Sequence, residues 1–436
     1  MARIHVGRWA WLLVLALLAC VLAMSACGGG GGGGEKTPEA TKAAGGTPGA
    51  EEVPGVTDTE IVLGSHLPLS GFAAAWGVDI KAGMDAYVAY VNDNGGVNGR
   101  KIRLIVYDDQ YAGPMASEVV RKLVEQDKVF AIMGGLGSAA HSAVWKYLES
   151  NGVPDMFILT GDSKWTDPVV KTRFAWLVDY ITEGKILGEY IADNFAGKKL
   201  GIIAQNDEFG KEGEQGLRDG VKDANMEIVV ETYEETQNDL IAQVQRLKNE
   251  NVDVIAAYAM PVQVASVIKG AHESLSWDVP IVITGVDAVE IVGALAGLDN
   301  IEGTISVVFS HQAFEKDVPG IAQHWDIMAK YAPGVTPTNL TLTGANVAEL
   351  MTKVLEETGP DLTRERLLDA AESLCEWMGF TSLVPVNMSP TDHRPIEVEV
   401  YVRATVDRST NPPTFRWQPF GEPFGFESTK ECPKKE

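Results

Sequence analysis

The chain has 436 residues, of which 45% are hydrophobic and 22% are charged, and its formal net charge is −24. This composition is typical of a globular protein that is large enough for two domains. The strong negative charge makes nucleic acid a poor partner, because an acidic surface repels phosphates.

Residues 1–26 have the pattern of an export signal. Two arginines precede an apolar run, and small residues then lead to Cys27. A cysteine at this place resembles the lipobox of bacterial lipoproteins, which implies a lipid anchor on Cys27. Two alternatives stay open: a rival lipobox that ends at Cys20, and an uncleaved membrane helix over residues 9–26. Each of them leaves the body outside the cytoplasm and attached to a membrane, in the periplasm or at the cell surface.

The segments at the two ends of the mature chain are predicted to lie outside the globular body. Residues 27–56 contain mainly Gly, Ala, Thr, Pro and Glu, which bury little surface and indicate a tether. Residues 421–436 are predicted to be a polar tail. Cys375 and Cys432 are the cysteines that remain after the leader, and an oxidising compartment predicts a disulfide between them.

From residue 61 onward, short apolar runs alternate with amphipathic helical patterns. The first series predicts the strands Ile61–Leu67, Ile102–Asp108, Val129–Met133 and Met156–Leu159, and the helices Gly77–Asn92, Pro114–Gln126 and Ser138–Asn151. A second series predicts the strands Phe174–Val178, Leu200–Ala204, Glu227–Tyr233, Val254–Tyr258 and Ile281–Thr284, and the helices Ile181–Phe195, Lys211–Ala224, Leu240–Glu250 and Val262–Ser274. Strands of this length between helices indicate parallel sheets covered on both faces.

The remaining segments must return to complete both series. They predict the strands Ile305–Phe309 and Ile396–Thr405 and helices near residues 320–331, 342–357 and 363–373. The fold class is therefore α/β, with two doubly wound, Rossmann-like lobes. Ligands of such sheets bind beyond the carboxyl ends of the strands, so two lobes that face each other there would form a cleft.

The sequence lacks the common motifs of enzymes. It has no P-loop, no G-x-G-x-x-G after a strand, no H-E-x-x-H and no G-x-S-x-G. We therefore expect no enzyme, no cofactor and no metal site. The seven histidines have no ligand spacing and are predicted to be surface or capping residues.

Three turns that follow predicted strands carry candidate ligand-binding groups. Gly134–Ser138 predicts either a tight turn capped by Ser138 or a site for a carboxylate at the helix start. Thr160–Ser163 predicts either a plain loop, capped by its Asp and Ser, or a second polar wall of the same cleft. Asp287, in the other lobe, either binds an ammonium group or caps the next helix.

The order of several short motifs resembles a known family. These motifs are Pro68-Leu69-Ser70-Gly71, Trp76-Gly77, Val91-Asn92, Gly95 to Arg100, Tyr107-Asp108-Asp109, Gly135 to Ser138, Asn206 to Gly210 and Gly285-Val286-Asp287. Over residues 57–405 they resemble the type I periplasmic binding proteins, in particular the branched-chain amino acid (leucine/isoleucine/valine) receptors of ABC transporters.

This resemblance implies two lobes joined by three crossovers, near residues 176–179, 307–310 and 384–388. The first lobe would contain residues 57–177 and 309–385. The second would contain residues 178–308 and 386–420.

The resemblance also assigns roles to residues of the first lobe. Trp76 matches the aromatic residue that lines the pocket, and Ser138 matches the hydroxyl that binds the carboxylate of an amino acid. Ser163 falls near a threonine that assists it. Asp162 falls where the family uses a backbone carbonyl, so it either turns away to cap the loop or meets a ligand with additional positive or amide donor character.

In the second lobe, Asp287 matches a glutamate that pairs with the ammonium group of the ligand. Phe209 matches a tyrosine but lacks its hydroxyl, and Ala259 with Met260 replaces another aromatic residue. These departures do not affect the predicted fold, but they leave the identity of the ligand undetermined.

The function that the resemblance implies is that of a monomeric, lipid-anchored receptor for an ABC permease in the cytoplasmic membrane. Its lobes would close on a small polar ligand. An amino acid is the first ligand hypothesis, with amides, urea-like compounds and aromatic or other small organic acids as alternatives. A receptor module that signals to a membrane sensor is the alternative function.

Overall fold

The structure is a computed structural model that describes residues 53–425. The predicted leader and nearly all of the tether, with Cys20 and Cys27, lie outside the described residues, as do the end of the polar tail and Cys432. The described residues 53–425 all belong to one compact unit. In the described range, no helix combines the length and the apolar character that a membrane crossing requires.

The first lobe is built on a five-stranded parallel sheet. Its strands are β1 (Glu60–Leu67), β2 (Lys101–Asp108), β3 (Ala131–Met133), β4 (Asp155–Ile158) and β5 (Arg173–Ala175), in the order β2-β1-β3-β4-β5. The helices between them are α1 (Ala74–Asp93), α2 (Gly113–Glu125), α3 (Ser138–Ser142) and α4 (Trp145–Ser150), and a 3-10 turn covers Ser163–Trp165. Strands β1, β3, β4 and β5 are nearly all buried, which explains their apolar runs, whereas the edge strand β2 is mostly only partly buried.

The second lobe is built on a seven-stranded mixed sheet. Its strands are β6 (Lys199–Gln205), β7 (Glu227–Tyr233), β8 (Val254–Tyr258), β9 (Ile281–Ile283), β10 (Ile305–Val308), β11 (Val398–Asp407) and β12 (Thr414–Gly425), in the order β12-β11-β10-β9-β8-β6-β7. Its helices are α5 (Tyr180–Phe195), α6 (Glu208–Val221), α7 (Ile241–Asn249), α8 (Pro261–Lys269), α9 (Glu290–Ala296) and α10 (Leu298–Ile301). Strand β11 pairs antiparallel with both β10 and β12 at one edge, and the other neighbours are parallel.

After β10 the chain returns to the first lobe and forms α11 (Pro319–Tyr331), α12 (Asn339–Thr358) and α13 (Arg364–Glu372). Helix α12 packs against α1 at backbone distance. A Cβ atom on Gly83 would lie 2.0 Å from the carbonyl oxygen of Thr341, and one on Gly344 would lie 2.0 Å from that of Ile80. Glycine is required at both positions because no side chain fits between the two helices.

The expected α/β class with two lobes and three crossovers is confirmed. The first crossing runs from β5 to α5, and the second follows β10. Before the third crossing, the backbone N–H of Ala175 donates to the carbonyl of His393 at 3.2 Å. His393, which the sequence analysis assigned to the second lobe, therefore contacts the first sheet, and the chain reaches the second sheet at β11.

Three features differ from the sequence-based expectations. The helix predicted over residues 138–151 is two short helices with a break at Ala143–Val144, and β12 was not predicted as a strand. The prediction of surface or capping histidines is wrong for four of the six described histidines, which are fully buried: His66, His141, His324 and His393. Each of the four has a hydrogen-bond partner inside the protein, which compensates for the loss of water.

Candidate functional site

A cavity of about 100 Å³ lies between the two lobes. From the first lobe, helices α1 and α12 contribute to its wall, together with the residues that follow β3 and β4. The second lobe contributes the turn after β9, and the crossovers close one end. Its lining residues include Trp76, Ile80, Leu136, Leu159, Leu177, Val178, Glu183, Gly285, Val286, Ala288, Val289, Val307, Val308, Phe309, Ser310, Gln312, Asn339, Leu340, Thr343 and Glu399.

The lining of this cavity is mainly apolar. Its polar side chains are two acids, Glu183 and Glu399, and a few amides and hydroxyls. Among the described residues that line the cavity, none is Lys, Arg or His. The wall therefore suits a ligand with an apolar body, and it offers carboxyl groups rather than a fixed positive charge.

Trp76 lies at the boundary between this cavity and a smaller neighbouring pocket. Phe72, Met260, Gln263 and Ile291 also line the smaller pocket, so the structure brings Trp76 and Met260 together from opposite lobes. The indole N–H of Trp76 is buried and has no hydrogen-bond partner among the described residues. It is a donor that a ligand in the cleft could use.

Ser138 is the first residue of α3, and Gly137, with a φ of 94°, is the N-cap. The hydroxyl of Ser138 lies 2.5 Å from that of Thr160, which lies 3.3 Å from the phenol of Tyr180 at the start of α5. The alternative in which Ser138 caps the helix is therefore not observed. Its hydroxyl belongs to a chain of three hydroxyls that joins the two lobes.

Asp162 and Ser163 both have partners away from the cavity. Asp162 caps the 3-10 turn: its carboxylate accepts from the backbone N–H of Lys164 at 3.2 Å and pairs with the ammonium group of Lys164. Ser163 donates its hydroxyl and its backbone N–H to Glu212 of α6, at 2.6 and 2.9 Å. Burial raises the pKa of Glu212 to about 7. This loop thus contacts the second lobe directly.

Phe209 lies at the beginning of α6 and is buried. Its ring centroid is 4.8 Å from that of Tyr180 and 5.1 Å from that of Tyr258. The three rings form an aromatic cluster on the second-lobe side of the Ser138 hydroxyl chain. Phe209 therefore supports Tyr180 rather than lining the cavity.

Asp287 is fully buried, and neither of its carboxylate oxygens has a hydrogen-bond partner among the described residues. Burial, together with the charge of Glu183, raises the pKa of Asp287 well above its usual value. Val289 is the N-cap of α9, so the capping alternative for Asp287 is not observed. Its chain neighbours Val286 and Ala288 line the cavity, whereas Asp287 itself is not among the lining residues.

Sequence reasoning missed Glu183 and Glu399, the two acids of the cavity wall. Glu183 lies on the buried face of α5, and Glu399 lies among buried residues of β11. An acid in phase with an apolar face is the signal that could have identified them, because such a residue is rarely buried without a purpose. No group of His, Cys, Asp and Glu within residues 53–425 is arranged to hold a metal ion.

Comparisons with known proteins agree with this architecture. The family model described as periplasmic binding protein matches residues 60–408. The Leu/Ile/Val-binding protein homolog 2 of Brucella abortus is 30% identical over 211 residues, which cover 46% of this chain and 54% of that protein. The chain thus matches about half the length of this curated relative.

Solved structures of similar proteins share the fold. A fatty acid ABC transporter substrate-binding protein from Thermomonospora curvata has a TM-score of 0.75 and 24% identity, covering 85% of this chain and 94% of that one. A branched-chain amino acid ABC transporter protein from Thermus thermophilus with bound valine has a TM-score of 0.75 and 19% identity, covering 85% and 98%. At these identities the comparison establishes the two-lobed fold.

Proposed function

The chain belongs to the periplasmic binding protein family, and we propose that it is the substrate-binding protein of an ABC importer. The observation that carries the proposal is the cavity between the lobes, whose wall combines residues of both lobes and of the crossovers. A ligand there touches both lobes at once, so it stabilises their closed arrangement over an open one. The permease would then recognise the closed form. This role needs no covalent chemistry.

The first ligand hypothesis is an amino acid or a similar small solute with an ammonium group. Its support is the buried carboxyl group of Asp287, which has no hydrogen-bond partner among the described residues and whose chain neighbours Val286 and Ala288 line the cavity. An ammonium group would supply the missing counter-charge, and the Ser138 hydroxyl would serve the carboxylate end. Amides, urea-like compounds and small organic acids are the alternatives; for acids, the described cavity wall offers no cationic partner.

We further propose that Cys27 carries the lipid, so that the monomeric receptor stays outside the cytoplasm beside its permease. The support is the leader pattern of the sequence. Mass spectrometry of the membrane-bound protein should find a diacylglyceryl peptide that begins at Cys27. A peptide that begins at Cys20, or an intact Met1, would contradict this assignment.

A thermal-shift screen of metabolites against the purified chain tests the central proposal. One chemical class should raise the melting temperature, because a ligand that binds only the folded state stabilises it. Trp76→Ala should remove this shift. Trp325→Ala is the matched control, since Trp325 donates to Ala313 and is not part of the cavity wall. No stabilisation by any compound, or equal loss in both variants, would contradict the proposal.

A further inference from the structure

Two carboxyl groups from different parts of the chain line the same end of the cavity. Glu183 comes from α5 and Glu399 from β11, and both are almost fully buried, with exposed fractions of 4% and 2%. Val307 and Val308, at the second crossover, lie in the same wall. We call this end of the cavity, defined by these four residues, the inner end.

Glu183 is held in place by hydrogen-bond donors. The phenol of Tyr258 and the hydroxyl of Thr284 donate to its Oε1 at 2.5 and 2.6 Å, and the backbone of Gly285 adds a further hydrogen bond. A Cβ atom on Gly285 would lie 2.8 Å from Oε2 of Glu183. Glycine therefore leaves room for the carboxyl group. Burial raises the pKa of Glu183, and the hydrogen-bond donors offset only part of this rise.

Glu399 has fewer hydrogen-bond donors around its carboxyl group than Glu183. Its Oε2 is buried and has no hydrogen-bond partner among the described residues. A buried acceptor without a donor is unfavourable. Because Glu399 lines a cavity between two lobes, a ligand in that cavity can supply the donor.

We propose that Glu399 and Glu183 form a cation site at the inner end of the cavity, and that the ligand is an organic amine whose apolar body fills the rest of it. The ammonium group would donate to Oε2 of Glu399, and the hydrocarbon would lie against the side chains of Trp76, Leu136 and Leu159. This inference rests on the proposed function and narrows its ligand class. An amino acid with an uncharged side chain would not need this site, because Asp287 alone would pair with its single ammonium group.

The surroundings of Glu399 predict how binding responds to pH. The groups that face it are Glu183 of α5, Asp179 at the N-cap of α5, Tyr258 of β8 and Tyr401 of β11. Asp287 in turn interacts electrostatically with Glu183. Burial, Glu183 and Asp179 raise the pKa of Glu399 well above its usual value. An ammonium group binds the deprotonated carboxylate, so binding weakens as the pH falls through this raised pKa.

Calorimetry with a matched set of small probes tests the proposal on the purified full chain. The probes are n-pentylamine, pentan-1-ol and pentanoate, which share their apolar part and differ in charge. The amine should bind about ten-fold or more tightly than the alcohol, as expected for one charge-assisted hydrogen bond. At pH 7, its binding in buffers of different ionisation enthalpy should release protons.

Two variants decide whether Glu399 is responsible. Glu399→Gln keeps the shape and removes the charge, so it should abolish the preference for the amine while the melting temperature stays the same or rises. Glu349→Gln is the matched control, because Glu349 is an acid with a raised pKa that accepts from the backbone of Phe380 and is not part of the cavity wall. It should keep the preference.

The outcomes separate this inference from the proposed function. If the amine binds no more tightly than the alcohol, or if Glu399→Gln keeps the preference, the cation site is refuted. If none of the three probes binds while a metabolite of the thermal-shift screen does, the cation site is refuted and the binding function stands. If no compound of either set binds, both are refuted.

Discussion

The Nε2 atom of His66 lies 3.1 Å from the Nδ1 atom of His141 in the interior of the first lobe. Each imidazole uses its other nitrogen for a carboxylate: His66 lies 2.7 Å from Asp109, and His141 lies 2.9 Å from Asp155. All four residues are almost completely buried. The two rings therefore link the two carboxylates in one continuous buried chain of polar contacts.

Because these four buried residues depend on one another for hydrogen bonds, we expect the loss of one terminal carboxylate to destabilise the protein strongly. Asp109→Ala leaves both His66 and the backbone N–H of Tyr111 without an acceptor. We expect the free energy of unfolding to fall by about 3–5 kcal/mol, as for other buried charge pairs that lose one partner. Urea unfolding measures it. Asp93→Ala, which removes an exposed pair with Lys330, should cost far less, because water screens that pair. Equal losses in the two variants would refute the buried network.

Two acids of the second lobe hold the lobes together. Glu212 accepts from Ser163, and Glu290 accepts from the backbone N–H of Asn339 with both oxygens, at 3.1 Å each. Burial raises the pKa of each to about 7, and for Glu290 the charge of Asp79 adds to the effect. Opening of the cleft would return both acids to water, where the value is near 4.5.

Because the pKa of both carboxyl groups is raised in the closed form, low pH should favour the closed arrangement of the lobes. The closed form binds protons more tightly, so its advantage is largest below the open-state pKa and is lost as the pH rises through about 7. Small-angle scattering of the unliganded protein should therefore give a smaller radius of gyration at pH 5 than at pH 8.5. Glu212→Gln with Glu290→Gln should remove the difference, whereas Glu302→Gln, at an exposed position, should keep it. A pH-independent radius in the unmodified protein would refute this link.

Most of the fold was accessible from the sequence because parallel strands are buried on both faces and read as unbroken apolar runs. Strands Glu227–Tyr233 and Val254–Tyr258 were predicted with their final bounds. The helix break at Ala143–Val144 was not, because it has neither Gly nor Pro to mark it. The cavity acids were missed for a different reason. Glu183 and Glu399 are 216 positions apart in the chain, and only the third crossover brings them to one wall.

The disulfide prediction concerns the part of the chain around α13. Cys375, just after that helix, is disulfide-bonded, and its predicted partner Cys432 lies outside the described residues. Thiol counting of the mature protein under denaturing, non-reducing conditions should find neither Cys375 nor Cys432 free. Closing a loop of this length stabilises the fold by up to about 4 kcal/mol in the chain-entropy model, so reduction should lower the melting temperature. Two free thiols would contradict the pairing.

Substitutions of one serine and two aspartates test whether the ligand is a zwitterion. Ser138→Ala should weaken binding of the best ligand by about ten- to a hundred-fold, because a hydrogen bond to a charged group is lost. Asp287→Asn should do as much or more, since a buried ammonium group would lose its counter-charge. Asp162→Asn is the internal control: its carboxylate is engaged by Lys164, so affinity should stay unchanged.

Calorimetry on the three variants separates the models. A loss in Asp162→Asn as large as that in Asp287→Asn would mean that the loop after β4 turns toward the ligand, in contrast to its contacts with Lys164. Unchanged affinity in both Ser138→Ala and Asp287→Asn would refute the zwitterion. The binding energy would then have to come from the apolar wall and the inner end of the cavity. In that case Glu399→Gln would be the variant that loses affinity for the ligand.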